Sequence, residues 1–140
     1  MSDSYFLDTN ILINMFDTAS PEKAARAFVL VDEGIASGAG KISYQVIQEF
    51  FSASAKPNIS PPNIVQSAIF LLQVLEPLLA VQSSVPLFAS ALLHRDNSKL
   101  QWYDALIVAA AQEAGCAILY SEDFQHGQRF GTLRVVNPFL

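Results

Sequence analysis

The chain has 140 residues, 51% hydrophobic and 15% charged, with a mean hydropathy of +0.31; these figures exclude a disordered chain and predict a single domain, residues 1–140, with its own core. One cysteine, Cys116, excludes an internal disulfide framework and a thiolate zinc cage and points to a reducing, cytoplasmic setting. Eight basic against thirteen acidic residues give a net charge of −5, the wrong sign for gripping nucleic acid through a broadly basic surface.

The opening Met1–Ser4 has no basic stretch before an apolar run, so no signal peptide is expected. Tyr5–Leu7 reads as a short strand ending at Asp8-Thr9-Asn10, a helix-start cluster. Ser20, Pro21 and Glu22 give N-cap, first-turn proline and first-turn acid for a helix carrying Ala24, Ala25, Phe28 and Val31. Gly38 and Gly40 punctuate before a brief strand, Lys41–Ser43. Val46, Ile47, Phe50 and Phe51 form one apolar stripe on a third helix. Ser60-Pro61-Pro62 opens a fourth, with Ile64, Ala68, Leu71, Leu72 and Leu75, followed by a strand at Leu78–Val81. Ile64–Val81 is the best membrane-span candidate, but Gln66, Gln73, Glu76 and Pro77 interrupt it, and a span needs roughly 20 predominantly apolar residues. Ser84-Val85-Pro86 starts a fifth helix ending near His94. The sixth, Trp102–Ala114 with Gly115 as its stop, is apolar almost all round and is expected to be buried. Ala117–Tyr120 and Leu133–Val136 supply two more strands.

Continuous apolar strands alternating with helices predict an α/β fold with a doubly wound, mainly parallel sheet covered on both faces. In such a sheet the ligand crevice lies outside the carboxyl ends of the strands, where the strand order reverses. Asp8 ends the first strand, Asp123 follows the fourth, Asp104 lies in the first turn of the buried helix, and Glu49 borders the stripe of the third helix. Each alone has an ordinary explanation as helix cap, turn former or solvated charge. Together on one sheet edge they form an oxygen-only cluster, which needs a cation to offset mutual repulsion and suits Mg²⁺ or Mn²⁺. Such ions activate water and polarise phosphoryl oxygens, pointing to phosphodiester hydrolysis. Setting these four aside leaves eight basic and nine acidic residues, an unremarkable balance. His94 and His126 lack a metal-binding spacing. No phosphate loop or dinucleotide fingerprint is present among the six glycines. Lys41, Arg95, Lys99 and Arg129 read as solvated surface charge and Trp102 as core.

Four segments carry a family resemblance: Phe6–Leu12 with Asp8, Val46–Phe50 with Glu49, Trp102–Ile107 with Asp104, and Ser121–Gly127 with Asp123. In this order, and with the closing Leu133–Phe139, they resemble the motifs of PIN-domain ribonucleases, above all the VapC-type toxins of bacterial toxin–antitoxin pairs. The resemblance spans Tyr5 to Phe139. It implies a three-layer α/β/α sandwich that cleaves RNA with Mg²⁺ or Mn²⁺ held by Asp8, Glu49, Asp104 and Asp123. Thr9, Asn10 and Ser121 match the family's supporting polar positions, whereas Glu122 is expected to point away from the metal. The resemblance also implies a homodimer and a small antitoxin partner. The helices Ile64–Leu75 and Val85–Leu93 carry more apolar surface than one small sheet needs, which fits an interface. Two alternatives stand beside this reading. A phosphoacceptor receiver domain would need paired acids after the first strand and a late lysine, and no lysine follows Lys99. A catalytically silent PIN fold that only binds protein or RNA would not need all four acids.

Overall fold

The computed structural model describes residues 3–53 and 63–140. The chain runs β1 (Tyr5–Leu7), α1 (Thr9–Asn14), α2 (Pro21–Ser37), β2 (Gly40–Ser43), α3 (Tyr44–Ala53) and α4 (Ile64–Phe70). It continues through a π-helical turn (Leu71–Leu75), α5 (Glu76–Leu78), β3 (Leu79–Val81), α6 (Val85–Ser98), α7 (Trp102–Glu113), β4 (Ile118–Tyr120), β5 (Arg129–Phe130) and β6 (Leu133–Val136). The strands form one six-stranded sheet in the order β3-β2-β1-β4-β6-β5. All neighbours are parallel except β5 with β6. From β1 the chain winds outward to β2 and β3, then returns to place β4 on the other side of β1. The order therefore reverses between β1 and β4, which opens a crevice at their carboxyl ends.

With helices on both faces the sheet is the middle of three layers, as expected, and its strands are correspondingly apolar. Phe6, Leu7, Ile42, Leu119, Leu133 and Val135 are almost fully buried, and Ala105 to Ala111 of α7 are buried without interruption. Two glycines set how closely α2 lies on the sheet. A Cβ on Gly40 would come within 2.8 Å of the Gly34 Cα, and one on Gly34 within 3.0 Å of the Gly40 Cα. Gly40 is thus inside β2 as a close-packing residue rather than a punctuator; Gly38, left-handed at φ 75°, is what ends α2.

Several expected boundaries move. The apolar stretch from Ile64 to Leu75 is not one regular helix: the Glu76 N–H bonds back to the Leu71 carbonyl, five residues away. This wider pairing comes just before Pro77, which has no N–H to continue an α-helical ladder. The proposed opening at Ser60–Pro62 lies outside the described residues; Asn63 caps α4, its side chain accepting from the Gln66 N–H at 2.9 Å. Helix α6 runs to Ser98, beyond His94, until Lys99 turns left-handed at φ 56°. The two-residue β5 has too few residues to show a period and was not expected. Among the described residues, no helix is long and apolar enough to cross a membrane.

Candidate active site

Asp8 is placed by backbone before any side chain acts. Its N–H bonds the Tyr120 carbonyl at 3.0 Å, tying the end of β1 to the end of β4, and it is the N-cap of α1. Its Oδ1 accepts the Thr9 N–H at 2.7 Å, while Oδ2 accepts the Ser121 hydroxyl at 2.7 Å and the Asn10 amide at 3.4 Å. The Asn10 Nδ2 also lies 3.0 Å from Asp123 Oδ2, and the Asp123 N–H donates to the Ser121 hydroxyl at 3.0 Å. Asn10 and Ser121 thereby fix Asp8 relative to Asp123. On the other side the Thr9 hydroxyl donates to Glu49 Oε1 at 2.7 Å, holding α3 against α1. The Asp104 side chain, in the first turn of α7, makes no hydrogen bond among the described residues.

All four acids, with Thr9 and Asn10, line one cavity of about 270 Å³ at the crevice between β1 and β4. Ser121 lies just behind it, fully buried. Among the described residues no lysine, arginine or histidine lines this cavity. The acids share it without closing up: among the described residues no three acidic, histidine or cysteine side chains converge as a ready-made ion cage. The donor set is nonetheless oxygen-only and, among the described residues, without a basic side chain to offset it, which fits a hard divalent cation and not zinc. His94 instead meets Gln112 Oε1 at 2.6 Å and His126 Nδ1 accepts the Asn137 N–H at 3.0 Å, both away from the cavity.

A family model described as the PIN domain matches residues 5–128, from β1 through the segment that bears Asp123. The chain belongs to the PIN domain family. Its fold is also shared with solved structures at 18–19% sequence identity. A FitAB complex bound to the IR36 DNA fragment superposes with a TM-score of 0.67 at 18% identity, covering 97% of this chain and 96% of that one. VapBC2 of Rickettsia felis bound to a DNA fragment from their promoter gives 0.60 at 18% identity, covering 94% and 96%. The sarcin-ricin loop cleaving toxin VapC20 of Mycobacterium tuberculosis gives 0.57 at 19% identity, covering 87% and 90%. At such identities the likeness is one of fold. No curated protein is matched in sequence.

The electrostatics of this PIN domain follow from four carboxylates that share one cavity with no basic side chain among the described residues. Burial above all pushes the Asp8 carboxyl up to about 7; Asp123 and Glu49 add to the rise, against hydrogen bonds from Ser121 and Thr9. Asp104 is raised from its ordinary value by burial and by Asp123 and Glu49. Glu122 points away, as expected. Its carboxylate accepts Asn14 Nδ2 and Lys23 Nζ, each at 2.8 Å, while its backbone N–H donates to Asn10 Oδ1 at 3.3 Å. Two supporting residues escaped the sequence reading. Asn14 braces Asn10 and Glu122 from one helical turn on, its Nδ2 also donating to the Asn10 carbonyl. Gln45, only 3% exposed, donates to Glu49 Oε2 at 3.4 Å and to the Tyr103 carbonyl at 3.1 Å, joining α3 to the turn that carries Asp104. The i,i+4 spacing of Gln45 and Glu49 was visible in the sequence; the contact with Tyr103 was not. Trp102 is half-buried rather than core, packed on Phe88 with the Arg95 guanidinium 5.6 Å from its ring centre.

Proposed function

We propose that the chain is a metal-dependent endoribonuclease, the toxin of a toxin–antitoxin pair, with Asp8, Glu49, Asp104 and Asp123 as the groups that hold Mg²⁺ or Mn²⁺. The observation that carries this reading is the meeting of four carboxylates in one cavity that, among the described residues, no cationic side chain lines, at the switch point of a PIN fold. A bound divalent ion would supply an activated water and neutralise charge developing on the phosphoryl oxygens. The chain's own part is positional. Ser121, Asn10 and the Thr9 N–H hold Asp8 in one orientation, Thr9 and Gln45 grip both oxygens of Glu49, and α7 brings Asp104 to the opposite wall. The crevice admits a phosphodiester from solvent at the sheet edge, and no serine or cysteine nucleophile is required.

Two partners complete the proposal. A homodimer accounts for the apolar surface of α4, its π-helical extension and α6, where Ile64 is 81%, Leu72 61%, Val85 79% and Leu93 63% exposed. A small antitoxin restrains the enzyme through an extended segment whose arginine meets the carboxylates, with apolar anchors beside it. The likeness in fold to FitAB and VapBC2, both complexes, supports this pairing. The deciding experiment is cleavage of structured and unstructured RNAs by purified protein with Mg²⁺ or Mn²⁺, then with excess EDTA. Cleavage is expected only with metal and only while Asp8 and Asp104 are intact; cleavage that survives full chelation refutes the mechanism. Light scattering checks the dimer, and co-expression with a short neighbouring gene checks the antitoxin.

A further inference from the structure

On the edge of the sheet farthest from β3, two arginines stand directly opposite each other. In the antiparallel β5–β6 pair Arg129 faces Arg134 and Phe130 faces Leu133. Phe130 and Leu133 are 5% and 1% exposed, so their side of the hairpin is the core side and both arginines lie on the solvent side. Like charges directly across a strand pair destabilise it. Nothing in the fold relieves this pair: among the described residues neither guanidinium has a hydrogen bond, ion pair or ring contact. The hairpin beneath them is firmly seated. The Phe130 ring stands edge-on to His94 at 6.0 Å, and its carbonyl accepts the Gln112 amide at 3.1 Å, anchoring β5 to α6 and α7. Two of the eight basic residues of an acidic chain thus stand side by side on an anchored hairpin, uncompensated among the described residues.

Their position connects them to the carboxylate cavity. Arg134 pairs with Ile118 at the start of β4, and Val136 with Tyr120 at its end, where the Ser121 N–H bonds the Val136 carbonyl at 3.1 Å. Two residues of strand put Arg134 about 7 Å back from the carboxyl edge, and two strand spacings put it about 10 Å across from β1, with Arg129 one spacing farther out. We propose that Arg129 and Arg134 form a two-guanidinium clamp for phosphodiester groups of the RNA strand whose scissile bond enters the carboxylate cavity. This rests on the nuclease reading and adds where the strand lies. Guanidinium forks suit phosphate oxygens bidentately, and a strand held here offsets the repulsion between the arginines while its continuation reaches the cavity.

The test compares Arg129→Gln/Arg134→Gln with the parent for binding of an unstructured RNA oligonucleotide over a salt series. Both proteins carry Asp8→Asn so that no cleavage intervenes, and Mn²⁺ is present throughout. Loss of two single-strand phosphate contacts flattens the slope of log affinity against log salt by about 1.4 and weakens binding about tenfold near 0.15 M salt. The double lysine variant keeps the slope and loses only part of the affinity, since point charges replace forks. An unchanged slope in the glutamine variant overturns the clamp, even where the unsubstituted enzyme cleaves RNA and the nuclease reading stands. Arginine-dependent binding of polyglutamate with no arginine dependence for RNA overturns it in favour of an acidic protein partner. Should the unsubstituted protein neither cleave nor bind RNA with Mg²⁺ or Mn²⁺, the nuclease reading fails and the clamp with it.

Discussion

Replacing Asp8 with asparagine separates the metal-holding role proposed for this carboxylate from what it costs the fold. In the metal-free protein its carboxyl is raised from 3.8 to about 7, mainly by burial. The folded state then binds the proton more tightly than the unfolded chain. Below pH 4 both states are protonated and Asp8 costs nothing. Between about pH 4 and pH 7 the unfolded chain gives up its proton while the folded state keeps it, so stability falls as pH rises. Above pH 7 the full penalty is present, about 4 kcal/mol for a shift of about three units. Asparagine cannot ionise and escapes this penalty. It loses part of the acceptor role: with its oxygen on the Thr9 N–H, its NH₂ group faces the Ser121 hydroxyl, which can turn to accept, and the Asn10 amide, which cannot. That loss is worth about 1 kcal/mol. The variant is therefore expected to be about 1 kcal/mol less stable than the parent near pH 4 and about 2–3 kcal/mol more stable at pH 8. Urea denaturation in EDTA at several pH values measures both curves. The other carboxylates are common to the two proteins, so the difference isolates Asp8. Parallel curves that never cross would refute the electrostatic reasoning. Saturating Mn²⁺ should stabilise the parent, by about 2.7 kcal/mol at a hundredfold excess over Kd, and the variant much less. RNA cleavage should be lost in the variant while the fold persists.

Gln45→Leu removes the donor that joins Glu49 to the Tyr103 carbonyl; on the proposed metal role, the Mn²⁺ concentration for half-maximal activity should rise about 10- to 100-fold. The Mn²⁺-induced rise in Tm should need correspondingly more metal, and unchanged titrations would show Gln45 to be only a packing residue. Gly40→Ala forces a Cβ to 2.8 Å from the Gly34 backbone and 3.0 Å from Leu78 Cδ2, which should cost about 1–3 kcal/mol. Thermal unfolding measures this as a drop of several degrees, and an unshifted Tm would mean that α2 can move off the sheet freely. Cys116 is buried, and burial pushes its thiol up to about 12. Native protein should therefore resist alkylation at pH 8 and react fully in urea, whereas rapid native labelling would contradict the placement of β4 and α7 around it.

The alternation of strands and helices, and Asp8 at a strand end, follow from local rules, because backbone periodicity, proline and helix capping act over a few neighbouring residues. Tyr5–Leu7, the proline-opened α2 and α6, and the all-apolar α7 were legible for that reason. The order of the four acids was legible too, and with it the family. What pairs with what was not. Asn10 reaches Ser121 and Asp123 across more than a hundred residues, and Gln45 reaches the Tyr103 carbonyl across 58; no local pattern encodes either contact. The close approach of Gly34 to Gly40 arises only when α2 lies down on β2, and the facing of Arg129 by Arg134 only when a two-residue strand finds an edge. The raised Asp8 carboxyl is likewise a property of the assembled cavity. Desolvation and repulsion act through space, and the distances that set them exist only once the sheet has closed its switch point around the four acids.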